Sequence, residues 1–522
     1  MSFDQLTQLA LRGVERWEGP AAGADGPSSP SSTNTAPSLA FLQAQVSRIP
    51  SEHHLLSQAV LAGLHEQIGR LPAQDPSPAP TPAPAEHQAR VTRSAHVILQ
   101  NLLGGETPQL LPEWLKLAAA HGRIVHPEAL PALLTLGAQK PELRPGITPV
   151  LGHRGVWLAH HFPPGSWVHD PATPEASPWE TGSPESRLAF LQHTRQTHPD
   201  RARELLAQTW NQESPDDRAR LVATFEIGLS SNDEPFLESA LDDRRMEVRR
   251  ASVRLLARLP ESRWAGRMRE RVSPLLTWVP GTPGGLLGLR EAQPARLEVI
   301  LPAACDKPMQ RDGIEAKPLP GFGEKAGWLI QMLEFLPLHH WTHTWQTTPS
   351  QIVAASDTGE CANELFEAWT RAALFQSQSD WAEALFESAV RNQRITHLPK
   401  LLSVLRPDQR EAQMLQLLNP DNVFIRPFLG TIVACLDHPW TQPFSRTMIA
   451  FLQQETSRVS GNWALRDGLA SLAVCFSPAV LPDLFSGWSA DPAPWAFWSS
   501  GVEALLRAAQ CRIEIQRAFS HP

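Results

Sequence analysis

Arginines and histidines are the side chains whose types and spacings in this sequence are suited to chemistry. Ten arginines fall between positions 244 and 271, opposed there by Glu247, Glu261 and Glu270 alone. Arg250, Arg254 and Arg258 repeat at i, i+4, as do Arg263, Arg267 and Arg271, so each trio lines one helix face. Such a strip suits an acidic protein partner or nucleic-acid phosphate. The plain alternative is a solvated face whose arginines pair with Asp242, Asp243 and neighbours between helices. Trp264 is the one aromatic residue in the strip, so base stacking is poorly served.

Histidines cluster as His153, His160, His161 and His169, and again as His339, His340 and His343. His339 and His343 have the spacing that presents two imidazoles to one metal from a helix. Pro337 disturbs the start of that helix, no cysteine is near in sequence, and H-E-x-x-H is absent. Packing or surface roles are expected for these histidines, with no metal. A third polar stretch runs from Met309 to Lys325, where Arg311, Asp312, Glu315, Lys317, Glu324 and Lys325 alternate with glycines. Gly321-Phe322-Gly323-Glu324-Lys325 lacks the spacing of a phosphate-cradling loop. A loop that docks a partner fits better, because contacts concentrate on loops held by a rigid scaffold. The expected partner-binding residues are therefore Arg250, Arg254, Arg258, Arg263, Arg267, Arg311, Asp312, Glu324 and Lys325. No G-x-S-x-G motif and no His-paired cysteine signature occur, so neither catalysis nor a cofactor is expected.

These residues must be positioned by a chain of 522 residues, long enough for roughly three domains or one array of repeats. The net charge of −8 argues against a globally basic nucleic-acid binder. Cys305, Cys361, Cys435, Cys475 and Cys511 are odd in number, widely spaced and without a C-x-x-C pair. That pattern fits a reducing cytoplasm better than a disulfide framework. No apolar run approaches a membrane span, and the N-terminus does not read as a secretory signal. The 49 prolines exclude a single long coiled coil. Tryptophan occurs 18 times and tyrosine not at all, which removes tyrosine as an acid or base.

Periodicity divides the chain. Residues 1–70 read as two helices around a Pro-rich, non-periodic insert at 19–38. Residues 71–88 read as a polyproline-type linker or loop. Residues 89–182 are helical with short breaks. The clearest helical pattern is 183–275, where Ala202, Leu205, Leu206, Thr209 and Trp210 fall on one face. Short helices of this kind cannot bury their faces alone and must stack. Residues 276–325 form a loop-rich insert in which Arg296–Leu301 alternates like a strand. Helical pattern resumes over 326–522.

Pro235-Phe236-Leu237, Ala240-Leu241-Asp242-Asp243, Val248-Arg249-Arg250-Ala251 and Leu255-Leu256 resemble a HEAT-type repeat. The resemblance implies an all-α fold, an α-solenoid of helical hairpins acting as scaffold or adaptor. A wider resemblance rests on Leu151-Gly152-His153-Arg154-Gly155-Val156-Trp157-Leu158, Asp233-Glu234-Pro235-Phe236-Leu237-Glu238, Met309–Ile314 and Gly321–Leu329. These segments are similar to a bacterial family of unknown function. That family is typically encoded beside MoxR-type AAA+ ATPases, von Willebrand A domain proteins and SWIM zinc-finger proteins. It has no assigned catalytic residues to carry over. The resemblance implies a cytosolic adaptor for another protein, with a MoxR-type ATPase as the named candidate. The alternative is a nucleic-acid-binding HEAT-like protein using the strip 244–271. No membrane association is expected.

Overall fold

The computed structural model describes residues 81–168, 178–282, 293–418, 423–458, 462–489 and 491–520, with Ser57 and Val60. The expected helices around 2–18 and 39–70, the insert 19–38 and most of the linker 71–88 lie outside these residues. The chain divides into two compact units, Met1–Pro82 and Ala83–Pro522, and the second is described below.

The described chain is mostly helical with one two-stranded sheet, in line with the all-α expectation. Proline, so frequent here, begins helices rather than breaking them. Ser183 and Ser214 each accept a hydrogen bond from the backbone three residues on, and Pro184 and Pro215 follow them at the first helical position. Pro349 opens another helix in the same way behind Thr348, and Pro199 and Pro407 stand at the first helical position without a side-chain cap before them. Proline costs nothing there, because the first-turn N–H has no intrahelical acceptor.

Two hydrophobic cores result. The smaller holds Leu99, Trp114, Leu133 and Val150 from the helices of residues 91–168. The indole of Trp114 donates to the Ala95 carbonyl at 3.0 Å, so its burial leaves no orphaned donor. The larger core is continuous from Trp179 to Ala509. Helices consecutive in sequence pack on one another, Glu234–Ala240 on Met246–Leu256 and Ala362–Gln376 on Ser379–Arg391, and Pro215–Ala223 also reaches Met246–Leu256 past the helix between them.

Acid–arginine pairs tie successive layers. Glu213 binds Arg187, Asp243 binds Arg218 at 2.5 Å, and Asp357 binds Arg394 at 3.1 Å. The most enclosed pair is Arg195 and Asp233, both side chains 0% exposed. Arg195 reaches Asp233 through both terminal nitrogens, at 3.0 and 2.9 Å, and also donates to the carbonyls of Ile227, Pro199, Phe225 and Gly228. Every N–H of the guanidinium thus has an acceptor, which is the condition for burying that charge.

The strand expected in the insert is present. Arg296–Val299 pairs antiparallel with Leu276–Val279, Leu297 facing Trp278. The chain also folds back on itself. The last helix, Pro492–Ser520, contributes Trp498, Val502 and Leu505 to the larger core, and Ile515 and Phe519 to the smaller. Arg512 on that helix is buried and donates to Glu113 at 2.6 Å and to the carbonyls of Ala473 and Phe476. The first helices of the unit therefore dock on its last.

Candidate functional site: a cationic recess

The arginine strip and the 309–325 stretch, far apart in sequence, meet in the fold. The helix Met246–Leu256 carries Arg250 and Arg254, Arg258 falls in the turn just past its end, and Arg263–Val272 carries the second trio. A five-residue helix, Lys307–Arg311, lies against their base. Asp306 starts it by accepting from the Met309 N–H at 2.8 Å, and Pro308 follows in the first turn.

Asp312 is the hub of this contact and is 2% exposed. Its carboxylate accepts from Arg267 Nη2 and Arg271 Nη1, each at 2.7 Å, and its carbonyl accepts from the Trp264 indole at 3.1 Å. Glu238 also reaches Arg267, at 3.1 Å. Arg311 clamps Asp242 with contacts of 2.6 and 3.1 Å. The Arg311 hydrogen bonds hold the Asp242 carboxyl below its ordinary range. The Asp312 hydrogen bond pushes the Arg267 guanidinium above its own. Of the residues singled out from sequence, Arg267, Arg311 and Asp312 are thus brought together, and they bind one another.

The outer residues divide differently. Arg250 pairs with Glu315, Arg258 with Glu226 at 2.7 Å, and Arg263 with Glu234 at 3.1 Å; the three arginines and Glu226 are exposed, and Glu315 and Glu234 are half-buried. Surface pairs of this kind are weak and exchange readily with other partners. Arg254, Glu324 and Lys325 are exposed, and their side chains form no hydrogen bond or ion pair among the described residues. Glu324 and Lys325 open the helix Glu324–Phe335, apart from the hub.

Beside the hub lies a recess of about 600 Å³, lined by Asp242, Asp243, Arg244, Arg249, Lys307 and Arg311 among others. Its two carboxylates are already engaged, Asp242 by Arg311 and Asp243 by Arg218. Arg249 is half-buried and braces the turn by donating to the Asp243 carbonyl at 2.7 Å, while its Nε is buried without a partner. Arg244 and Lys307 are exposed, and their side chains form no ion pair or hydrogen bond among the described residues. The result is a rigid concave surface with surplus positive charge, suited to carboxylate or phosphate groups. Sequence reasoning did not single out Lys307. Its signal was the Asp306-Lys307-Pro308 sequence, a helix start that puts a lysine in the first turn.

The histidines fall elsewhere. Leu338–Trp345 is helical, with His339 and His343 exposed. Among the described residues no group of three or more His, Cys, Asp or Glu side chains is placed to hold a metal ion. His153 instead helps anchor the start of its helix. Its backbone N–H and that of Arg154 donate to the Glu86 carboxylate, at 3.1 and 2.7 Å. Gly152 sits there at φ +64°, and a side chain on it would strike that carboxylate.

The model of the family of unknown function DUF5691 matches residues 5–519, and the chain belongs to that family. No curated protein and no solved structure matches. No helix of the described residues is long and apolar enough to cross a membrane.

Proposed function

We propose that this chain is a helical-repeat scaffold that docks an acidic segment of another protein in the cationic recess beside Asp312. The observation that carries this reading is the pair Arg244 and Lys307. They stand unpaired over carboxylates that other arginines already occupy. An incoming carboxylate meets two long cations at the surface and a braced wall behind them. The surrounding surface pairs, Arg250–Glu315 and Arg258–Glu226, extend the contact by exchanging partners.

The HEAT-like solenoid reading supports the scaffold role. Turn aspartates bound by arginines from adjacent layers, and helices that neighbour in the order of the chain, are what such an array requires. A cytosolic MoxR-type AAA+ ATPase is the partner class that the family resemblance suggests. No catalytic step is assigned to the chain itself. The test is affinity capture with nuclease treatment, comparing the parent with R244E/K307E. The proposal expects a protein retained by the parent after nuclease and lost by the variant. Ligands that all vanish with nucleic acid would replace this reading with phosphate binding, and binding would then fall steeply with salt.

A further inference from the structure

The docking of the first helices on the last leaves a second cavity, remote in sequence from the recess. It measures about 720 Å³ and lies between the turn after Arg93–Leu103 and the helix Pro492–Ser520. Its walls are fastened together. Gln109 donates to the Ala470 carbonyl at 3.2 Å, and Arg512 grips Glu113 at 2.6 Å. A cavity of this size at a seam between packed blocks is where small ligands bind.

The chemistry of its lining is specific. Ile98, Leu506 and Phe485 give an apolar surface, and Phe485 is 45% exposed although it is a large aromatic side chain. Glu106 and Glu514 also line the cavity. Burial pushes the Cys511 thiol up, the Thr107 side chain opposes this, and the negative charges of Glu514 and Glu106 add to the rise. Arg507 is the cation of the lining and lies 3.9 Å from Glu503, while Glu514 accepts from the Gln510 side chain at 2.8 Å. The turn that forms one wall is strained. Thr107 holds a left-handed backbone at φ 48° and ψ 52°, a conformation that β-branched residues avoid, and such strain gathers at binding sites.

We propose that this cavity binds a small organic cation with an apolar body, its charge held by Glu106 and Glu514 and its body laid against Phe485. An aromatic face and two carboxylates are the groups that recognise an ammonium carrying hydrocarbon. This proposal is independent of protein docking at the recess.

The test uses the full chain and calorimetric titration at low salt. The probes are phenethylammonium and tryptammonium, with phenethyl alcohol and hydrocinnamate as neutral and anionic counterparts. The ammonium probes are expected to bind best. E106Q/E514Q is expected to weaken them about tenfold, as the loss of two surface charge contacts implies. F485A is expected to weaken the ammonium and the alcohol alike. Saturating ammonium is expected to slow alkylation of Cys511, read by peptide mapping, while leaving Cys305 and Cys361 unchanged. The proposal is overturned if the ammonium probes fail to bind, if hydrocinnamate or the alcohol binds as tightly, or if E106Q/E514Q, folded by its melting curve, binds like the parent. Unchanged alkylation of Cys511 at saturation also overturns it.

Discussion

Replacing Asp233 by asparagine keeps the shape of the side chain and removes its charge. In the fold Asp233 receives Arg195 twice, Arg203 at 3.2 Å and the Ser230 N–H at 3.1 Å. Asparagine retains one acceptor oxygen and turns an N–H₂ group toward a guanidinium that is itself a donor. The Arg195 charge stays at 0% exposure with only carbonyl dipoles around it. Breaking a buried pair in this way costs about 3–5 kcal/mol. That is a large part of the ~5–15 kcal/mol that holds a typical fold together. R195M is expected to cost at least as much, because it removes a donor from four carbonyls and leaves the buried carboxylate with Arg203 and the Ser230 N–H alone. Urea unfolding followed by tryptophan fluorescence gives the midpoints. Hydrogen exchange over 184–256 shows whether the loss begins around this pair. A D233N midpoint equivalent to less than about 1 kcal/mol of destabilisation would refute the argument that this pair is a buried, mutually dependent charge couple.

Other outcomes follow from the same structure. Burial raises the Glu334 carboxyl above its ordinary range, with the Arg371 guanidinium opposing. A raised carboxyl favours the fold below its unfolded value and loses that contribution as pH climbs through the folded value. E334Q is therefore expected to melt higher than the parent at pH ~7 and no higher at pH ~4. A gain that does not grow with pH would contradict this. R512M is expected to cost about 3 kcal/mol or more and to loosen residues 91–168 first, read by limited proteolysis. G430A places a methyl group 2.4 Å from the Leu465 nitrogen and is expected to cost about 1–3 kcal/mol in thermal unfolding.

The local features were legible in the sequence and the long-range ones were not. Capping serines followed by proline, as at Ser183-Pro184 and Ser214-Pro215, announce helix starts because cap and proline act within one turn. The alternation within Arg296–Leu301 marked a strand, but its equally short partner, Leu276-Thr277-Trp278-Val279, ends in two apolar residues and does not alternate. The Asp233-Glu234-Pro235 segment was recognisable, yet its purpose was hidden. Arg195 stands 38 residues away from Asp233 and reads as an ordinary solvated arginine until the layers stack. At the site, sequence brought attention to the strip and to Arg311 and Asp312. It could not tell which arginines are consumed inside the fold. Asp312 takes Arg267 and Arg271, and that leaves Arg244 and Lys307 facing outward. The seam between Glu113 and Arg512 joins residues 399 positions apart, so no local signal announces it.

The central claim is that Arg244 and Lys307 form the mouth of a protein-docking recess. The most direct measurement is photo-crosslinking in a lysate of the native cells, with and without nuclease, with a photoreactive residue placed at Gln310 on the recess wall. The account predicts one protein crosslinked through an acidic segment, and its disappearance in R244E/K307E with the melting curve unchanged. A crosslinked protein that persists at full yield in that variant, or a crosslink to nucleic acid alone before nuclease, would contradict it.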